Sequence, residues 1–190
     1  WLLLVGGRPA MGLPPGGPCN PGDGTVRSWR WPVERLAAVG GELARKGARL
    51  AVVGTAAERP LTERLLAALD ADAADLTGRL GLGGLAGLLE RATLLVGNDS
   101  GPRHLAAAVG TATVAVYWCV NLGSYGPLSR ARHRAPTSWR LRCPGCGADG
   151  LREDCRARHE ASFVADVTVD AVLAEALDLL AAEAAGPPAG

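Results

Sequence analysis

The residues best suited to chemistry lie between Asn98 and His104, where the sequence reads Asn-Asp-Ser-Gly-Pro-Arg-His. The apolar run at residues 93–97 is typical of a buried strand, and Pro102 suits the first turn of a helix, where its missing N–H is not needed. A strand, a tight polar turn and a helix start often bind phosphate, because the first amides of a helix are free to donate. The pattern therefore predicts an anion site in this turn.

Asp99 is the residue of this turn that phosphate binding alone does not explain, because a carboxylate repels an anion. We expect it to orient backbone donors or to contact sugar hydroxyls. The alternative is structural: Asp99 and Ser100 can cap the helix, and His104 can lie on the helix surface.

Alternating strands and helices must position the turn. Continuous apolar strands separated by single helices imply a parallel sheet covered on both faces, with its ligand at the carboxyl ends of the strands. The sequence thus predicts a Rossmann-like α/β domain, in which the loops at residues 6–30, 55–59 and 98–103 meet at one edge. We expect strands at 2–5, 49–54, 93–97 and 113–117, and a short edge strand at 75–78. We expect helices that begin at Pro32, Pro60, about Leu82 and Pro102. A last helix should run from about Val169 to Ala184, with Thr168 as its N-cap.

Composition narrows the class of protein. The chain has 190 residues and a net charge of +1, which suffices for one hydrophobic core and gives no electrostatic case for nucleic acid as a partner. The longest uncharged stretch, residues 105–129, is broken by glycines and a proline, so we expect a buried strand between turns there and no membrane span. We expect a single domain over residues 1–190, and, because its first strand starts abruptly at Trp1, a fragment of a longer protein.

Four motifs occur in an order that resembles a known family. They are Trp-Pro-Val-Glu-Arg-Leu at 31–36, Val53-Gly54 with Glu58, Asp-Leu-Thr-Gly at 75–78, and Gly-Asn-Asp-Ser-Gly-Pro-Arg-His-Leu-Ala at 97–106. In this order they resemble glycosyltransferase family 9, the heptosyltransferase-like enzymes, over nearly the whole chain.

The resemblance implies the C-terminal, nucleotide-sugar-binding half of a two-domain GT-B fold. It implies inverting transfer of a sugar, typically heptose from an ADP-linked donor, onto a lipopolysaccharide-type or other glycan acceptor, without a required cofactor. The family's acceptor domain and general base belong to the N-terminal half, which is absent here, so we expect this fragment to bind the donor without turning it over. A cytoplasmic location is expected, with peripheral attachment at the inner face of the membrane as an open alternative.

The family's functional positions fall on residues of this chain. Asp99, Ser100 and Gly101 match contacts to the diphosphate and donor sugar, and His104 lies one helical turn further on. By this resemblance, Asp99 and His104 position the donor and its leaving group. Glu58 matches the acidic residue that accepts the ribose hydroxyls; its alternative is an exposed loop charge.

The first loop departs from the family pattern. Family members often carry a phosphate-binding Lys two residues before the Trp-Pro pair, where this chain has Trp29. Arg27 or Arg30 can take its place, since the guanidinium binds phosphate in a bidentate manner. The alternative is that both are exposed loop arginines.

A second cluster, C-x2-C-x8-C-x3-H, has the spacing of a zinc site. Two thiolates separated by two residues can share one tetrahedral ion, and three thiolates with one imidazole close the coordination sphere, as in a structural site. The alternative is a set of free buried thiols or a redox-labile pair. The four residues are Cys143, Cys146, Cys155 and His159.

Two other functional classes remain open at this stage. One is a nonenzymatic, zinc-stapled nucleotide-binding or interaction module. The other is a dinucleotide oxidoreductase, which the Gly81-x-Gly83-x-x-Ala86 spacing formally permits. That spacing lacks a preceding strand and an acidic residue about 20 positions on, so the fingerprint is incomplete.

Overall fold

The structure, a computed structural model, consists of parallel strands flanked by helices. It describes residues 2–5 as backbone alone, and residues 30–147, 149–150 and 162–185 with their side chains. The strands are β1 (Leu2–Val5), β2 (Leu50–Val53), β3 (Ala73–Asp75), β4 (Leu94–Asn98), β5 (Ala112–Trp118), β6 (His133–Arg134) and β7 (Thr137–Ser138). The helices are α1 (Val33–Arg45), α2 (Arg59–Ala68), α3 (Leu82–Glu90), α4 (Gly101–Ala108), α5 (Cys119–Tyr125) and α6 (Val169–Ala185), with a short 3₁₀ helix at Ala56–Glu58.

The sheet has the order β3-β2-β1-β4-β5-β6, with β7 also pairing with β5, and all these pairs are parallel. The chain steps outward from β1 to β3, crosses back to β4 beside β1, and then steps outward in the other direction. In open α/β sheets this reversal opens a crevice at the carboxyl ends of the central strands. Val5 is in register with Val53 and Gly97, so the loops after β1, β2 and β4 leave from the same edge.

The central strands are buried on both faces. Every residue of β2, β4 and β5 is buried, and alternate apolar side chains of β2 and β4 belong to two different hydrophobic clusters. One cluster joins the sheet to α1, α2 and α6, and the other joins it to α3 and α4. The Rossmann-like α/β prediction is confirmed.

Most predicted elements are present, one is displaced, and four observed elements, among them the 3₁₀ helix at Ala56–Glu58, were not predicted. Thr168 accepts a hydrogen bond from the Ala171 amide at 3.2 Å, as expected of the α6 N-cap. The edge strand ends at Asp75 because its carboxylate accepts the Thr77 amide at 2.9 Å and Gly78 turns the chain with φ of +69°. α5, β6 and β7 were not predicted.

Residues 105–129 contain the end of α4, all of β5 and all of α5, so the expectation of a single strand between turns was incomplete. None of the helices that the structure describes is both long enough and apolar enough to span a membrane.

Candidate functional site

The turn between β4 and α4 lies beside the reversal of strand order. β4 ends at Asn98 and α4 begins at Gly101, so Asp99 and Ser100 make the connection. Ser100 is the N-cap residue, and its carbonyl accepts the His104 amide at 3.3 Å. Because Pro102 has no N–H and the Arg103 amide already donates to the Ser100 carbonyl at 3.0 Å, Gly101 supplies the first-turn amide of α4 that faces the carboxyl edge of the sheet.

Asn98 fixes the start of α1 to this turn. Its side-chain oxygen accepts the backbone amide of Trp31 at 2.8 Å, and the indole N–H of Trp31 donates to the carbonyl of Val167 at 2.9 Å. Arg30, which is half-buried, immediately precedes Trp31 and is thereby brought next to the turn. Arg27 lies outside the described residues.

Three polar atoms in the turn are buried without a partner. Asp99 is 3% exposed and Ser100 is 0% exposed. Among the residues that the structure describes, no hydrogen bond reaches either Asp99 carboxylate oxygen or the Ser100 hydroxyl. Leaving such an atom unpaired costs about 1–3 kcal/mol. The Ser100 hydroxyl does not cap α4, so these atoms are the best placed in the turn to bind a ligand.

Arg103 is the basic residue behind the turn, and it is only 4% exposed. Its Nη2 donates to the Tyr125 carbonyl at 2.9 Å, and its guanidinium lies 5.8 Å from the centre of the Tyr117 ring, within cation–π range. The same Nη2 is 3.9 Å from Asp99 Oδ1. Arg103 therefore supplies a fixed positive charge beside the buried carboxylate.

Arg103 also contacts His104. Its Nη2 lies 2.7 Å from Nδ1 and 2.9 Å from Nε2 of the imidazole, while Nε2 is 3.5 Å from Asp99 Oδ1. Since a guanidinium can only donate, the ring accepts from Arg103 through Nδ1 when Nε2 carries the proton and faces Asp99. Asp99, Arg103 and His104 thus form one electrostatic unit.

The environment shifts the pKa values of this unit in opposite directions. Burial raises the pKa of Asp99, and the nearby Arg103 and His104, followed by the polar side chains of Tyr117 and Asn121, oppose that rise. Burial and the Arg103 charge lower the pKa of His104 below 6.5, against a smaller opposing effect of Asp99. His104 is therefore neutral at neutral pH and able to donate through one ring nitrogen.

Sequence reasoning missed Arg103 and Tyr117 as members of the site. The four-residue spacing between Asp99 and Arg103 on a helix start was a signal for the first of them. Trp118 is 2% exposed and packs against Phe163 with ring centres 4.7 Å apart, so it belongs to the core.

Glu58 lies at the same edge of the sheet, after β2, in a different environment. It is 9% exposed, and its Oε2 accepts both the backbone amide of Thr55 at 2.7 Å and the Thr55 hydroxyl at 2.8 Å. Glu58 is therefore not an exposed loop charge: it stabilises the start of the 3₁₀ helix. The structure brings it to the predicted edge without testing a contact to ribose.

The two described cysteines of the second cluster lie in one tight turn. Cys143 is buried and Cys146 is exposed, and the amide of Gly147 donates to the Cys143 carbonyl at 2.9 Å. Cys155 and His159 lie outside the described residues. Within residues 2–5, 30–147, 149–150 and 162–185, no three His, Cys, Asp or Glu side chains come together as a metal site. The zinc site stays a prediction.

Together these groups can bind a ligand that carries both negative charge and hydroxyls. The Gly101 amide and the Ser100 hydroxyl can donate to phosphate oxygens, and Asp99 can accept from hydroxyl groups. Arg103, with its fixed charge, can offset negative charge that develops on a leaving group nearby.

Known proteins resemble this chain in sequence and in structure. Lipooligosaccharide heptosyltransferase 2 of Haemophilus influenzae is 32% identical over 118 residues, which cover 60% of this chain and 32% of that protein. The solved structure of Escherichia coli ADP-heptose lps heptosyltransferase II superposes with a TM-score of 0.69 at 24% identity, covering 96% of this chain and 47% of that one.

Two further solved structures share the fold. A family 9 glycosyl transferase from Veillonella parvula gives a TM-score of 0.67 at 24% identity over 95% of this chain and 46% of that one. The structure of E. coli heptosyltransferase WaaC with ADP-2-deoxy-2-fluoro heptose gives a TM-score of 0.56 at 20% identity, over 94% of this chain and 42% of that one. The chain thus spans about half the length of these solved structures and about a third of the curated relative.

The sequence model of one family matches residues 23–139, more than half of the chain and the whole of the turn described above. The chain belongs to glycosyltransferase family 9 (heptosyltransferase).

Proposed function

We propose that this chain is the donor-binding, C-terminal half of an inverting GT-B glycosyltransferase, and that the turn from Asn98 to His104 binds the diphosphate-sugar part of the donor. The observation that carries the proposal is the set of buried, unpartnered oxygens of Asp99 and Ser100 at the start of α4. Atoms in such a position gain most from a ligand that restores their hydrogen bonds.

The donor that we propose is ADP-heptose, and the acceptor is a lipopolysaccharide-type glycan. Support comes from the relatives, whose names include lipooligosaccharide heptosyltransferase and ADP-heptose lps heptosyltransferase. Another of the similar structures contains ADP-2-deoxy-2-fluoro heptose. The general base and the acceptor site would belong to the other half of the enzyme.

Each residue of the turn has a proposed role. The Gly101 amide at the start of α4, together with the Ser100 hydroxyl, would hold the diphosphate, and Asp99 would accept hydroxyls of the sugar. A neutral His104 would donate to the donor from one ring nitrogen. As the glycosidic bond to the diphosphate breaks, the Gly101 amide and the Arg103 charge would stabilise the leaving diphosphate without proton transfer.

Two peripheral roles complete the proposal. Arg30, adjacent to the turn through Trp31, or Arg27 in the first loop, would bind the outer phosphate oxygens. Glu58 would accept a ribose hydroxyl at the neighbouring loop while Thr55 remains bound to its Oε2. No described residue favours the nonenzymatic, zinc-stapled module over this function.

Isothermal titration calorimetry with ADP, UDP, GDP and NAD tests the proposal. We expect a nucleoside diphosphate, ADP foremost, to bind more tightly than NAD, and Asp99→Asn to weaken the binding of a nucleoside diphosphate sugar. Asp70→Asn, which changes an exposed aspartate, is the matched control. No nucleoside diphosphate binding at millimolar concentration, or equal affinities for the parent chain and Asp99→Asn, would rule out this turn as the donor site.

A further inference from the structure

A tight turn after β7 carries two cysteines separated by two residues. It reads Cys-Pro-Gly-Cys-Gly at positions 143–147, and we call these residues the cysteine knuckle. The amide of Gly147 donates to the Cys143 carbonyl at 2.9 Å, and Gly147 has a φ of +76°, which other residues adopt only with strain. The chain therefore turns back directly after Cys146. A Cys-x-x-Cys turn of this kind is how many proteins present two thiolates to one tetrahedral ion.

The knuckle closes a small hairpin that lies against the core. Arg142 and Asp149 form an antiparallel backbone bridge, and the Gly150 amide donates to the Leu141 carbonyl at 2.7 Å. Cys143 is 3% exposed and belongs to the main hydrophobic cluster. The backbone on both sides of the knuckle is thus held in a defined position.

The hairpin has little hydrophobic surface of its own. Of its described residues, 141–147, 149 and 150, only Cys143 and Gly150 are buried, and Cys146 is exposed. A two-stranded hairpin with so few buried side chains is marginally stable in water, and small segments of this kind commonly depend on a disulfide or a structural metal. The hairpin therefore needs a further source of stability.

The chain leaves the hairpin and returns to the same place. A Cβ atom added to Gly150 would lie only 2.8 Å from the Phe163 ring, so the two ends of the segment 151–161 are side by side. A residue spans at most about 3.6 Å of chain, so Cys155 lies within about 18 Å of Gly150 and His159 within about 14 Å of Phe163. Both residues are therefore tethered near the knuckle.

We propose that the cysteine knuckle binds a structural zinc ion through the Cys143 and Cys146 thiolates. The sequence spacing assigns the two remaining positions to Cys155 and His159, which lie outside the described residues. Each thiol releases its proton to solvent as it binds, and the imidazole binds in its neutral form. Four protein ligands leave no open position on the ion, so this zinc stabilises the fold and takes no part in sugar transfer.

A nearby guanidinium suits this charge balance. Zn²⁺ with three thiolates and one imidazole has a net charge of −1. The Arg142 side chain donates to the Gly147 carbonyl at 3.4 Å, so a positive charge lies at the knuckle itself. Positive groups beside cysteines favour the thiolate form that binds metal. The inference goes beyond donor binding and does not depend on it.

Metal analysis of the full chain, purified with a reductant and without chelator, tests this inference. We expect about one zinc per chain. The metal-free chain should take up one Co²⁺ and show the thiolate charge-transfer and visible bands of tetrahedral cobalt. A chain that holds no zinc, and takes up none when zinc is added under reducing conditions, would overturn the inference. A cobalt spectrum of octahedral type would also overturn it.

Substitutions then locate the site. Cys146→Ser alters an exposed side chain and should lower zinc affinity at least about 100-fold in competition with a chromogenic chelator, since losing even a residue that only orients a ligand costs about 10–100-fold. Cys155→Ser and His159→Asn should lower it similarly. Cys119→Ser, at the start of α5, is the matched control and should bind zinc like the parent chain. Parent-like affinity in Cys146→Ser, or an equal loss in Cys119→Ser, would overturn the inference.

Thermal melts link the metal to stability. A chelator should lower the Tm of the parent chain and of Cys119→Ser, because zinc binds the folded chain more tightly than the unfolded one. The same chelator should leave the Tm of Cys146→Ser unchanged, since that variant carries no zinc to lose. A parent Tm that does not respond to zinc removal would overturn the structural role.

Discussion

Two acidic turns at the same edge of the sheet use their carboxylates differently. At Glu58, Oε2 is engaged by the backbone and hydroxyl of Thr55, so the charge completes local structure. At Asp99, both oxygens are buried beside a basic residue and make no hydrogen bond of normal geometry with the described residues, although the Tyr117 and Asn121 side chains lie near enough to favour the charged carboxylate. Glu58 accepts hydrogen bonds from its own turn and so contributes to stability. Asp99 is held in place by the residues around it, and its oxygens remain available to a ligand.

The largest expected effect comes from the charge that holds Asp99 in place. Arg103→Met should lower the free energy of unfolding by about 3 kcal/mol at neutral pH, because it removes the nearest cation from a buried carboxylate and the donor from the Tyr125 carbonyl. Urea unfolding measures this. Arg64→Met, which breaks an exposed pair with Glu34, should cost less than about 1 kcal/mol. Equal losses in the two variants would contradict the role given to Arg103.

The next effect separates ligand binding from helix capping at Ser100. Replacing a capping serine by alanine normally lowers the free energy of unfolding by about 1 kcal/mol, but the Ser100 hydroxyl makes no hydrogen bond to the helix start. Ser100→Ala should therefore leave the free energy of unfolding unchanged or raise it, while nucleoside diphosphate affinity falls about tenfold. Ser129→Ala, at an exposed serine, should change neither. A loss of stability without a loss of affinity would assign Ser100 to the cap.

A smaller effect is expected at the other turn. Glu58→Ala should lower the free energy of unfolding by about 1 kcal/mol, because Thr55 loses the acceptor for two hydrogen bonds. Thr55→Val removes one of those bonds but leaves the carboxylate, so it should retain nucleotide affinity while Glu58→Ala loses it. The same affinity in both variants would restrict Glu58 to its structural role.

The smallest effect is a pH dependence at His104. The pKa of His104 is lowered in the folded state, so the unfolded chain takes up the proton first as the solution is acidified. The contribution of His104 to the free energy of unfolding is therefore present above pH 6.5 and is lost as the pH falls from 6.5 through the folded-state pKa. Asp99 has the opposite sign: its raised pKa gives a contribution that is present below 3.8 and lost as pH rises through the folded value.

NMR titration of the His104 ring tests this pH dependence. In Asp99→Asn the pKa of His104 should fall further, since the carboxylate that favours the imidazolium is gone. His133, whose pKa burial also lowers, serves as the internal control and should not move. A His104 pKa that is unchanged in Asp99→Asn would show that the two groups are not coupled.

Much of the fold could be predicted from local pattern. The buried strands β2, β4 and β5 appear as continuous apolar runs because both faces of the sheet are covered. The turn at Asn98 was visible because Pro102 and the small residues after it are typical of a helix start. The short helix α5 and the two-residue strands β6 and β7 are too brief to show a period, and they form because β5 is already in place beside them.

The site was less predictable because it depends on contacts between distant segments. A lone arginine on a helix, such as Arg103, is ordinarily exposed, and its burial here requires the Tyr117 ring and the Tyr125 carbonyl from later elements. The capping role of Glu58 was local and could have been found, since Thr55 and Glu58 have the spacing of a capping box. The orphaned oxygens of Asp99 could not be inferred from sequence, because burial is a property of the packed fold.

The two hydrogen bonds of Trp31 have a consequence for how the site opens. Through them the start of α1, the end of β4 and the segment before α6 are joined, and Arg35 adds a further bond to the Val167 carbonyl at 2.8 Å. The hydrogen-bonded amides of Asp99 and Arg103 should then exchange with solvent deuterium at the rate of the central sheet, and loosening the last helix should accelerate their exchange. The turn thus belongs to the same cooperative unfolding unit as the core, even though it connects two elements at the edge of the sheet.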